Sequence, residues 1–328
     1  MRFDLLVVGE INADLILIGP DPVPEFGQVE KLVDSGLLTI GSSSVITACG
    51  AAHLGLRTAF IGVVGDDALG RFMLSAMEQR HIDVSGCITD PHLQTGVSVI
   101  LQHRQGGRGR AILTAPGSIA ALTTDQVTRS VLRGSRHLHC GSYFLQRGIQ
   151  KGLGPLLVEA REAGLTCSLD THWDPSGSWD GGLNTVLDAC DLFFPNREEV
   201  LRISGRDTLR SALASLSAHG LTVAAKLGEE GAMLCHGGQL LAARPPLVDV
   251  VDTTGAGDSF NAGYLYGYLA GWSPPRSLAL AVAVGSLSTR AVGGTTAQPD
   301  LEEAVAVAAM VRVEEVFPSG QGISIDAP

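Results

Sequence analysis

Short apolar runs rich in β-branched residues alternate along this chain with stretches of helical length. The predicted strands are Leu5–Gly9, Thr58–Gly65, His137–Gly141, Thr166–Asp170, Leu192–Asn196 and Val223–Gly228. The predicted helices are Ile46–Leu54, Ala68–Arg80, Thr124–Leu132, Leu153–Ala163, Thr208–His219, Ala256–Ala270 and Pro274–Ala291. This alternation is typical of βαβ units, so we predict an α/β fold built on a mostly parallel sheet.

Polar or glycine residues stand at the end of several predicted strands. Glu10, Asp170 and Asn196 each close such a run, and Lys226 is followed by Leu227-Gly228. Open parallel sheets bind ligands beyond the carboxyl ends of their strands, so we expect the functional site there.

Two regions interrupt the alternation. Gln28–Ile40 has alternating character, and Gln94–Thr114 reads as a β-hairpin around the turn Gln105–Gly109. Together they predict a small separate sheet that projects from the main domain. The chain after about Pro318 is rich in Gly, Ser and Pro and is expected to fray.

The charge balance excludes several classes of partner. The 328 residues carry a formal net charge of −11 without a basic cluster, which argues against binding to nucleic acid or to an anionic membrane. The only lysines are Lys31, Lys151 and Lys226. A phosphate would therefore have to be bound locally, by backbone N–H groups, a few cations or a metal ion.

The cysteines and the apolar runs predict a location for the protein. The six cysteines are scattered without C-x-x-C spacing, which favours buried free thiols in a reducing compartment. The chain shows no signal peptide and no apolar run of membrane-spanning length. We therefore expect a soluble cytoplasmic protein.

The segment Asp252–Asn261, with the sequence DTTGAGDSFN, is the strongest candidate for chemistry. Gly255-Ala256-Gly257 is a small-residue turn that opens a helix, and unpaired N–H groups at a helix start bind anions. Asp258 would lie beside a phosphoryl group bound there and could accept the proton of an attacking hydroxyl. The alternative is that Asp258 only caps the helix.

This segment resembles the second signature of the PfkB carbohydrate kinases, the ribokinase-like family. Further matches to family motifs follow in the family's order: Gly9–Asp14, Gly62–Gly70, Asn196–Glu199 and Leu227–Gly231. Neither a Walker A lysine nor the protein-kinase signatures occur. The resemblance implies ATP-dependent phosphorylation of a hydroxymethyl group on a small sugar or sugar-like molecule.

The resemblance also implies an architecture. The family fold is a three-layer sandwich whose mostly parallel central sheet is flanked by helices, with a small β-sheet lid over the sugar. Residues 1–318 would form a single domain, segments of about 12–41 and 93–115 the lid, and residues 319–328 a flexible tail. In many relatives two lids pack together, so we expect a homodimer formed through the lid.

The resemblance assigns roles residue by residue. Asp258 is the base, and the N–H groups of Gly255, Ala256 and Gly257 form the anion hole. The residues implied for the other ligands are Asn12, Asp14, Gly41, Ser42 and Asp258 for the sugar, and Asn196, Lys226, Gly228, Gly231, Gly255 and Gly257 for ATP. Glu199 would hold Mg²⁺ through water, and Asp252 with Thr254 would contribute to the K⁺ site that some relatives use.

The sequence departs from the family pattern at the sugar. The first signature normally reads G-G-x-x-x-N, but here the second glycine is Ser42 and the asparagine is Ile46. Either the substrate lacks a polar group at Ile46 or the serines at 42–44 replace the asparagine. Val282 stands where many relatives carry Asn or His near the adenine, which leaves the preference for ATP open.

Other functions stay open at this point. A nucleoside kinase of the same fold would need aromatic walls around the base, and the predicted lid has few aromatic residues. A phosphosugar kinase would need basic residues near Asn12 or Ser42. A sugar-binding regulatory protein without catalysis is the alternative from another class, and the intact Gly255–Asp258 segment argues against it.

Overall fold

The computed structural model describes residues 2–103 and 110–316. Its strands are β1 (Phe3–Val8), β2 (Asn12–Gly19), β3 (Ser35–Ile40), β4 (Thr58–Ile61), β5 (Val63–Gly65), β6 (Ile88–Asp90), β7 (Gly96–His103), β8 (Arg110–Ala115), β9 (Ser135–Cys140), β10 (Thr166–Leu169), β11 (Leu192–Phe193), β12 (Thr222–Lys226), β13 (Ala232–His236), β14 (Gln239–Ala243) and β15 (Val313–Glu315). Its α-helices are α1 (Ser43–His53), α2 (Ala68–Glu78), α3 (Arg129–Arg133), α4 (Arg147–Glu162), α5 (Leu183–Leu187), α6 (Arg197–Ser204), α7 (Leu209–Leu216), α8 (Ala256–Leu269), α9 (Pro274–Leu287) and α10 (Leu301–Ala308).

The central sheet has nine strands in the order β15-β14-β13-β12-β11-β10-β9-β1-β4. The strands from β4 to β12 in this order pair in parallel, and the three beyond β12 are antiparallel. Alternate residues of β1 enter different cores: Leu6 and Val8 pack on one face, Leu5 and Val7 on the other. Helices therefore cover both faces, and the predicted fold class is confirmed.

A second sheet of four strands has the order β3-β2-β7-β8. Strands β7 and β8 form the predicted hairpin, whereas its predicted turn lies outside the described residues. In the segment Gln28–Ile40, only the second half is a strand, which is β3.

Some predicted elements differ from the observed ones. The run Thr58–Gly65 is two strands, because the chain turns at Gly62: β4 joins the central sheet, but β5 pairs with β6. A Cβ atom on Gly62 would lie 2.6 Å from the carbonyl oxygen of Gly9, so only glycine allows this close approach. The run Leu192–Asn196 is a strand for two residues only, because Asn196 caps α6.

The six cysteines are free, as predicted, and all but Cys87 are buried. Within the described residues, no helix is both long and apolar enough to cross a bilayer. The cytoplasmic location stays a prediction, and the predicted tail over residues 319–328 lies outside the described part of the chain.

Candidate active site

The carboxyl ends of the parallel strands meet at one edge of the central sheet. Glu10, Asp170 and Asn196 lie just beyond β1, β10 and β11, and Lys226 ends β12. A bridge between Asn196 and Lys226 joins two of these ends. The first turns of α8 face the same edge, since Asn261 contacts Lys226 and Asp170. The polar residues that the sequence places at strand ends are therefore brought together.

The turn before α8 has the backbone geometry that an anion site requires. Gly255 is the N-cap residue with φ of 72°, and a Cβ atom there would lie 2.7 Å from Gly294 Cα. Glycine is needed for both reasons. Ala256 and Gly257 begin the helix, whose first N–H groups lack partners within the helix. The N–H group of Ala256 already donates to Thr253 O at 3.3 Å, which is a long bond that an anion could replace.

Asp258 lies in the first turn of α8, directly after the predicted anion hole. Burial first and the negative charge of Asp170 second raise the pKa of its carboxyl to about 6, against the opposing effect of Lys226. A carboxylate with a pKa near neutrality can both accept and release a proton under physiological conditions. The structure thus places the Asp258 carboxyl group in the same helical turn as the first N–H groups of α8.

Asn12, Asp14 and Gly41 form one group at the base of the small sheet. Asn12 Nδ2 donates to Asp14 Oδ1 at 3.1 Å and to Ser98 Oγ at 3.4 Å. A side chain on Gly41 would collide with Asp14, so the glycine keeps this carboxylate accessible. Burial raises the pKa of Asp14 to about 7, although the charge of Arg110 opposes the shift.

Glu10 is a buried carboxylate surrounded by serine hydroxyls. Ser42 and Ser142 donate to its Oε1 at 2.9 and 2.8 Å, and Ser44 donates to its Oε2. Ser42 also accepts from the N–H group of Val45 and has φ of 69°, a region that favours glycine. These hydrogen bonds stabilise the strained backbone at Ser42. The hydroxyl proton of Ser42 is used in the bond to Glu10.

Ile46 fills the space beside the anion-hole turn. It is 3% exposed, and a Cβ atom on Gly255 would lie 3.0 Å from its Cγ2 atom. The serines predicted as its polar substitutes donate to Glu10 instead, as described for Ser42 and Ser44. The position where relatives carry asparagine is therefore apolar in this protein.

Lys226 is not a free surface cation. Its Nζ atom lies 2.6 Å from Asp170 Oδ2, and Asn261 Nδ2 donates to the same oxygen at 2.6 Å. Burial alone would lower the pKa of Lys226, but the charges of Asp170, Glu199 and Asp258 raise it, so the lysine is protonated. Lys226 in turn holds the pKa of the buried Asp170 carboxyl below its ordinary value.

Asn196 and Glu199 form a capping box at the start of α6. Asn196 N and Nδ2 donate to the two Glu199 oxygens at 2.9 and 2.6 Å, and Glu199 N donates to Asn196 Oδ1 at 2.9 Å. Burial, followed by the charge of Asp170, raises the pKa of Glu199. Thr171 also contacts Oε2 at 3.5 Å, so most acceptor sites of this carboxylate are used and water-mediated contact with Mg²⁺ fits better than direct ligation.

Gly228 and Gly231 flank the turn after β12 and differ in their surroundings. A Cβ atom on Gly228 would meet no atom within 4 Å, so its backbone borders open space. A Cβ atom on Gly231 would collide with the carbonyl oxygen of Ala243, so Gly231 is required by the pairing of β13 with β14. Of these two glycines, only Gly228 therefore borders open space.

Asp252 and Thr254 form a compact hydrogen-bonded loop. Asp252 Oδ1 accepts from Thr254 N and Oγ1 at 2.9 and 2.8 Å, and its Oδ2 accepts from Gly293 N at 2.9 Å. Arg110, the first residue of β8, donates from Nη1 to Thr254 Oγ1 at 2.7 Å. The small sheet therefore reaches the segment Asp252–Asn261. Across residues 2–103 and 110–316, no three or more His, Cys, Asp or Glu side chains cluster as metal ligands.

Some residues of the site carry no role in the sequence-based prediction. Glu10, Asn261 and Arg110 contact residues that are distant in sequence. They pair with Ser142, Asp170 and Thr254 across 132, 91 and 144 positions of the chain. The position of Glu10 at a strand end is the one available signal for it.

Comparisons with known proteins show the family of this chain. The sequence pattern of the pfkB family carbohydrate kinases matches residues 2–301. An uncharacterized sugar kinase of Archaeoglobus fulgidus is 31% identical over 223 residues, which are 68% of this chain and 87% of that protein. The 2-dehydro-3-deoxygluconokinase of Bacillus subtilis is 28% identical over 316 residues, covering 92% of this chain and 94% of that enzyme.

A solved structure shares the fold. Arabidopsis thaliana ribokinase complexed with ribose and ATP superposes with a TM-score of 0.79 at 24% identity, covering 94% of this chain and 99% of that one. At this identity the likeness supports the fold alone.

Proposed function

Since the chain belongs to the pfkB family of carbohydrate kinases, we propose that it transfers the γ-phosphoryl group of ATP to a hydroxymethyl group of a small sugar, with Asp258 as the base. Membership in the family makes the protein a phosphotransferase with an alcohol acceptor. The observation that carries the proposal is the position of Asp258, one residue after Gly257 in the first turn of α8.

The proposed step needs one base and one anion site. As the bond between the sugar oxygen and phosphorus forms, the bond from phosphorus to the bridging oxygen of ATP breaks, and ADP leaves with the electron pair. Asp258 accepts the hydroxyl proton. The N–H groups of Gly255, Ala256 and Gly257 stabilise negative charge on the phosphoryl oxygens, which is the main contribution a protein makes to this reaction.

The ATP side of the proposed site uses the ends of β11 and β12. Lys226 and Asn196 would contact the phosphates, and the open backbone at Gly228 would admit the nucleotide. Glu199 would orient Mg²⁺ through water, and the ion would neutralise charge on the phosphates. Gly231 would contribute indirectly, because it allows the turn that follows β12. Asp252 and Thr254 are hydrogen-bonded to each other. We propose that they contribute to a K⁺ site, and measuring the activity at increasing K⁺ concentration tests this.

The sugar side of the proposed site combines polar and apolar groups. Asn12 and Asp14 would bind hydroxyls, because a carboxylate accepts from them and an amide can also donate. Ile46 offers no hydrogen bond, and the serine hydroxyls are occupied by Glu10. We therefore propose a substrate that lacks a hydroxyl where it meets Ile46, and a deoxy sugar has this property.

The small sheet would act as a lid and as a dimer interface. Arg110 joins it to Thr254, which is the contact a closed lid requires. Leu37, Leu38 and Leu113 on the same sheet are exposed by 40%, 43% and 62%, and packing against a second copy would bury them. Light scattering of the purified protein tests the proposed homodimer, and a monomer at all concentrations would refute it.

A panel of free sugars and one nucleoside with ATP and Mg²⁺ tests the function. We expect ADP formation coupled to a sugar phosphate for a deoxy sugar, and no turnover of the nucleoside. Asp258→Asn should lower kcat by about 10²- to 10⁴-fold with little change in sugar affinity, whereas Asp207→Asn on the exposed surface serves as the control. Sugar binding without phosphoryl transfer by the wild type would favour a regulatory protein instead.

A further inference from the structure

A buried ion pair lies directly behind the catalytic segment. Lys226 Nζ and Asp170 Oδ2 are 2.6 Å apart, and their side chains are 15% and 6% exposed. Asn261 bridges the two: its Nδ2 donates to Asp170 Oδ2 at 2.6 Å, and its Oδ1 accepts from Lys226 at 3.4 Å. The backbone N–H of His172 donates to the other oxygen, Asp170 Oδ1, at 3.1 Å.

Fold stability gives little reason to keep such a pair. Removing two charges from water costs several kcal/mol per ion, and apolar residues of similar volume often stabilise a fold equally well. The pair is also surrounded by further carboxylates, because the charges of Glu199 and Asp258 both act on Lys226. A cation in this position is therefore more readily explained by a ligand than by packing.

The geometry of the lysine indicates where that ligand lies. An ammonium group has three protons, and within the described residues two acceptors, Asp170 and Asn261, lie within hydrogen-bond distance of Nζ. A Cβ atom on Gly257 would lie 3.2 Å from Lys226 Cδ and 3.6 Å from Nζ. The lysine thus runs along the anion-hole residue with hydrogen-bonding capacity remaining.

Asn261 fixes this arrangement to the helix that carries the base. Asp258 and Asn261 are three residues apart on α8 and therefore share one face. Asp170 receives hydrogen bonds from both Asn261 and Lys226, so it ties the end of β12 to α8. A displacement of Asp170 would move the cation relative to the base.

Resting on the proposed kinase function, we propose that Lys226 contacts the transferring phosphoryl group and that Asp170 and Asn261 are positioning residues that aim its ammonium at the anion hole. As the bond between phosphorus and the bridging oxygen breaks, the fixed ammonium stabilises charge on the phosphoryl oxygens, while the hydroxyl proton goes to Asp258. In this acidic protein the cluster supplies the positive charge that neither a Walker A lysine nor a basic patch provides.

The same cluster determines the pH at which kcat falls on the acidic side of its pH profile. The charged groups that act on Asp258 are Asp170, Lys226, His172, Glu10 and Asp14. Loss of the negative charge in Asp170→Asn should shift the acidic limb of kcat to lower pH. Loss of the positive charge in Lys226→Met should shift it to higher pH. A packing defect would not move the two limbs in opposite directions.

The test is a double-variant cycle on the full-length protein, with the sugar that the wild type phosphorylates. We expect Lys226→Met to lower kcat by about 10²- to 10³-fold and Asp170→Asn by about 10- to 100-fold, with the KM for the sugar nearly unchanged. The double variant Asp170→Asn/Lys226→Met removes both charges of the pair, so neither is left without its partner and the Tm should exceed that of either single variant. Its kcat should stay as low as that of Lys226→Met.

Asp174→Asn is the matched control, because Asp174 is a buried aspartate in the same loop whose side chain, within the described residues, accepts hydrogen bonds from Ser176, Ser178 and Trp179. Recovery of kcat together with Tm in the double variant would make the pair purely structural and overturn the inference. Normal kcat in Lys226→Met would overturn it equally. If the wild type transfers no phosphoryl group to any sugar, the proposed function itself fails, and this outcome is seen before any variant is made.

Discussion

The pH dependence of turnover is the most direct test of Asp258 as the base. Its pKa is raised to about 6, by burial first and by Asp170 second. A base acts in its ionised form, and the ionised fraction falls about tenfold per pH unit below the pKa. For a pKa of about 6, roughly nine-tenths of the base is ionised at pH 7 and roughly one-tenth at pH 5. We therefore expect kcat at saturating sugar to fall about tenfold between these pH values.

Asp14 permits an internal check, because its pKa is raised to about 7 by burial. Asp14 would bind sugar hydroxyls, so its protonation should raise the KM for the sugar and leave kcat at saturation unaffected. kcat should thus report the group near pH 6, and kcat/KM should report both groups. Asp14→Asn should remove the second dependence and leave a single acidic limb in kcat, displaced only toward lower pH because the charge of Asp14 acts on Asp258.

A coupled ADP assay with saturating ATP, measured from pH 5 to pH 8 in buffers of constant ionic strength, provides these profiles. Stability must be followed by circular dichroism at each pH, so that unfolding is not mistaken for titration. If kcat is flat down to pH 5 while phosphoryl transfer is rate-limiting, Asp258 is not the base and the reasoning about its environment is wrong.

Three substitutions test the surrounding geometry. Gly255→Ala should lower the free energy of unfolding by at least about 1–2 kcal/mol in a urea titration, because φ is 72° and the added Cβ would lie 2.7 Å from Gly294 Cα. An unchanged free energy of unfolding would contradict the backbone conformation of this turn. Ile46→Asn should raise kcat/KM for a fully hydroxylated sugar relative to its deoxy analogue, and an unchanged ratio would separate Ile46 from the substrate. Arg110→Ala should raise the KM for the sugar about tenfold without changing Tm, because it removes the charged hydrogen bond to Thr254; an unchanged KM would exclude a closing contact.

The sequence predicted those parts of the site that depend on local structure. The turn Gly255–Gly257 and the start of α8 follow from small residues before an apolar helix, and Asp170 and Lys226 stand at strand ends that parallel topology brings together. The split at Gly62 could not be predicted, because it depends on the approach of Gly9, which is distant in sequence.

Pairings between residues that are distant in sequence could not be predicted either. Asp170 and Lys226 are 56 positions apart, so neither the charge pattern nor the periodicity shows that they form a pair. The resemblance implied that Lys226 binds ATP, but it gave no partner for this lysine within the protein. The role predicted for Ser42 depended on a free hydroxyl, and only the fold shows that Glu10 accepts its proton.

The charge distribution of the site explains why its lysine is paired with Asp170 and not with Asp258. The charge of Asp258 interacts with those of Asp14 and Asp170, and desolvation disfavours the ionised form of each. Asp170 overcomes this effect through Lys226 and keeps its charge, whereas the pKa values of Asp14 and Asp258 rise to about 7 and 6. A free base near neutrality is what proton transfer requires. If a second lysine paired directly with Asp258, its pKa would fall and the carboxylate would become a weaker base. One cation paired to Asp170 therefore serves the phosphoryl group while leaving Asp258 able to take the proton.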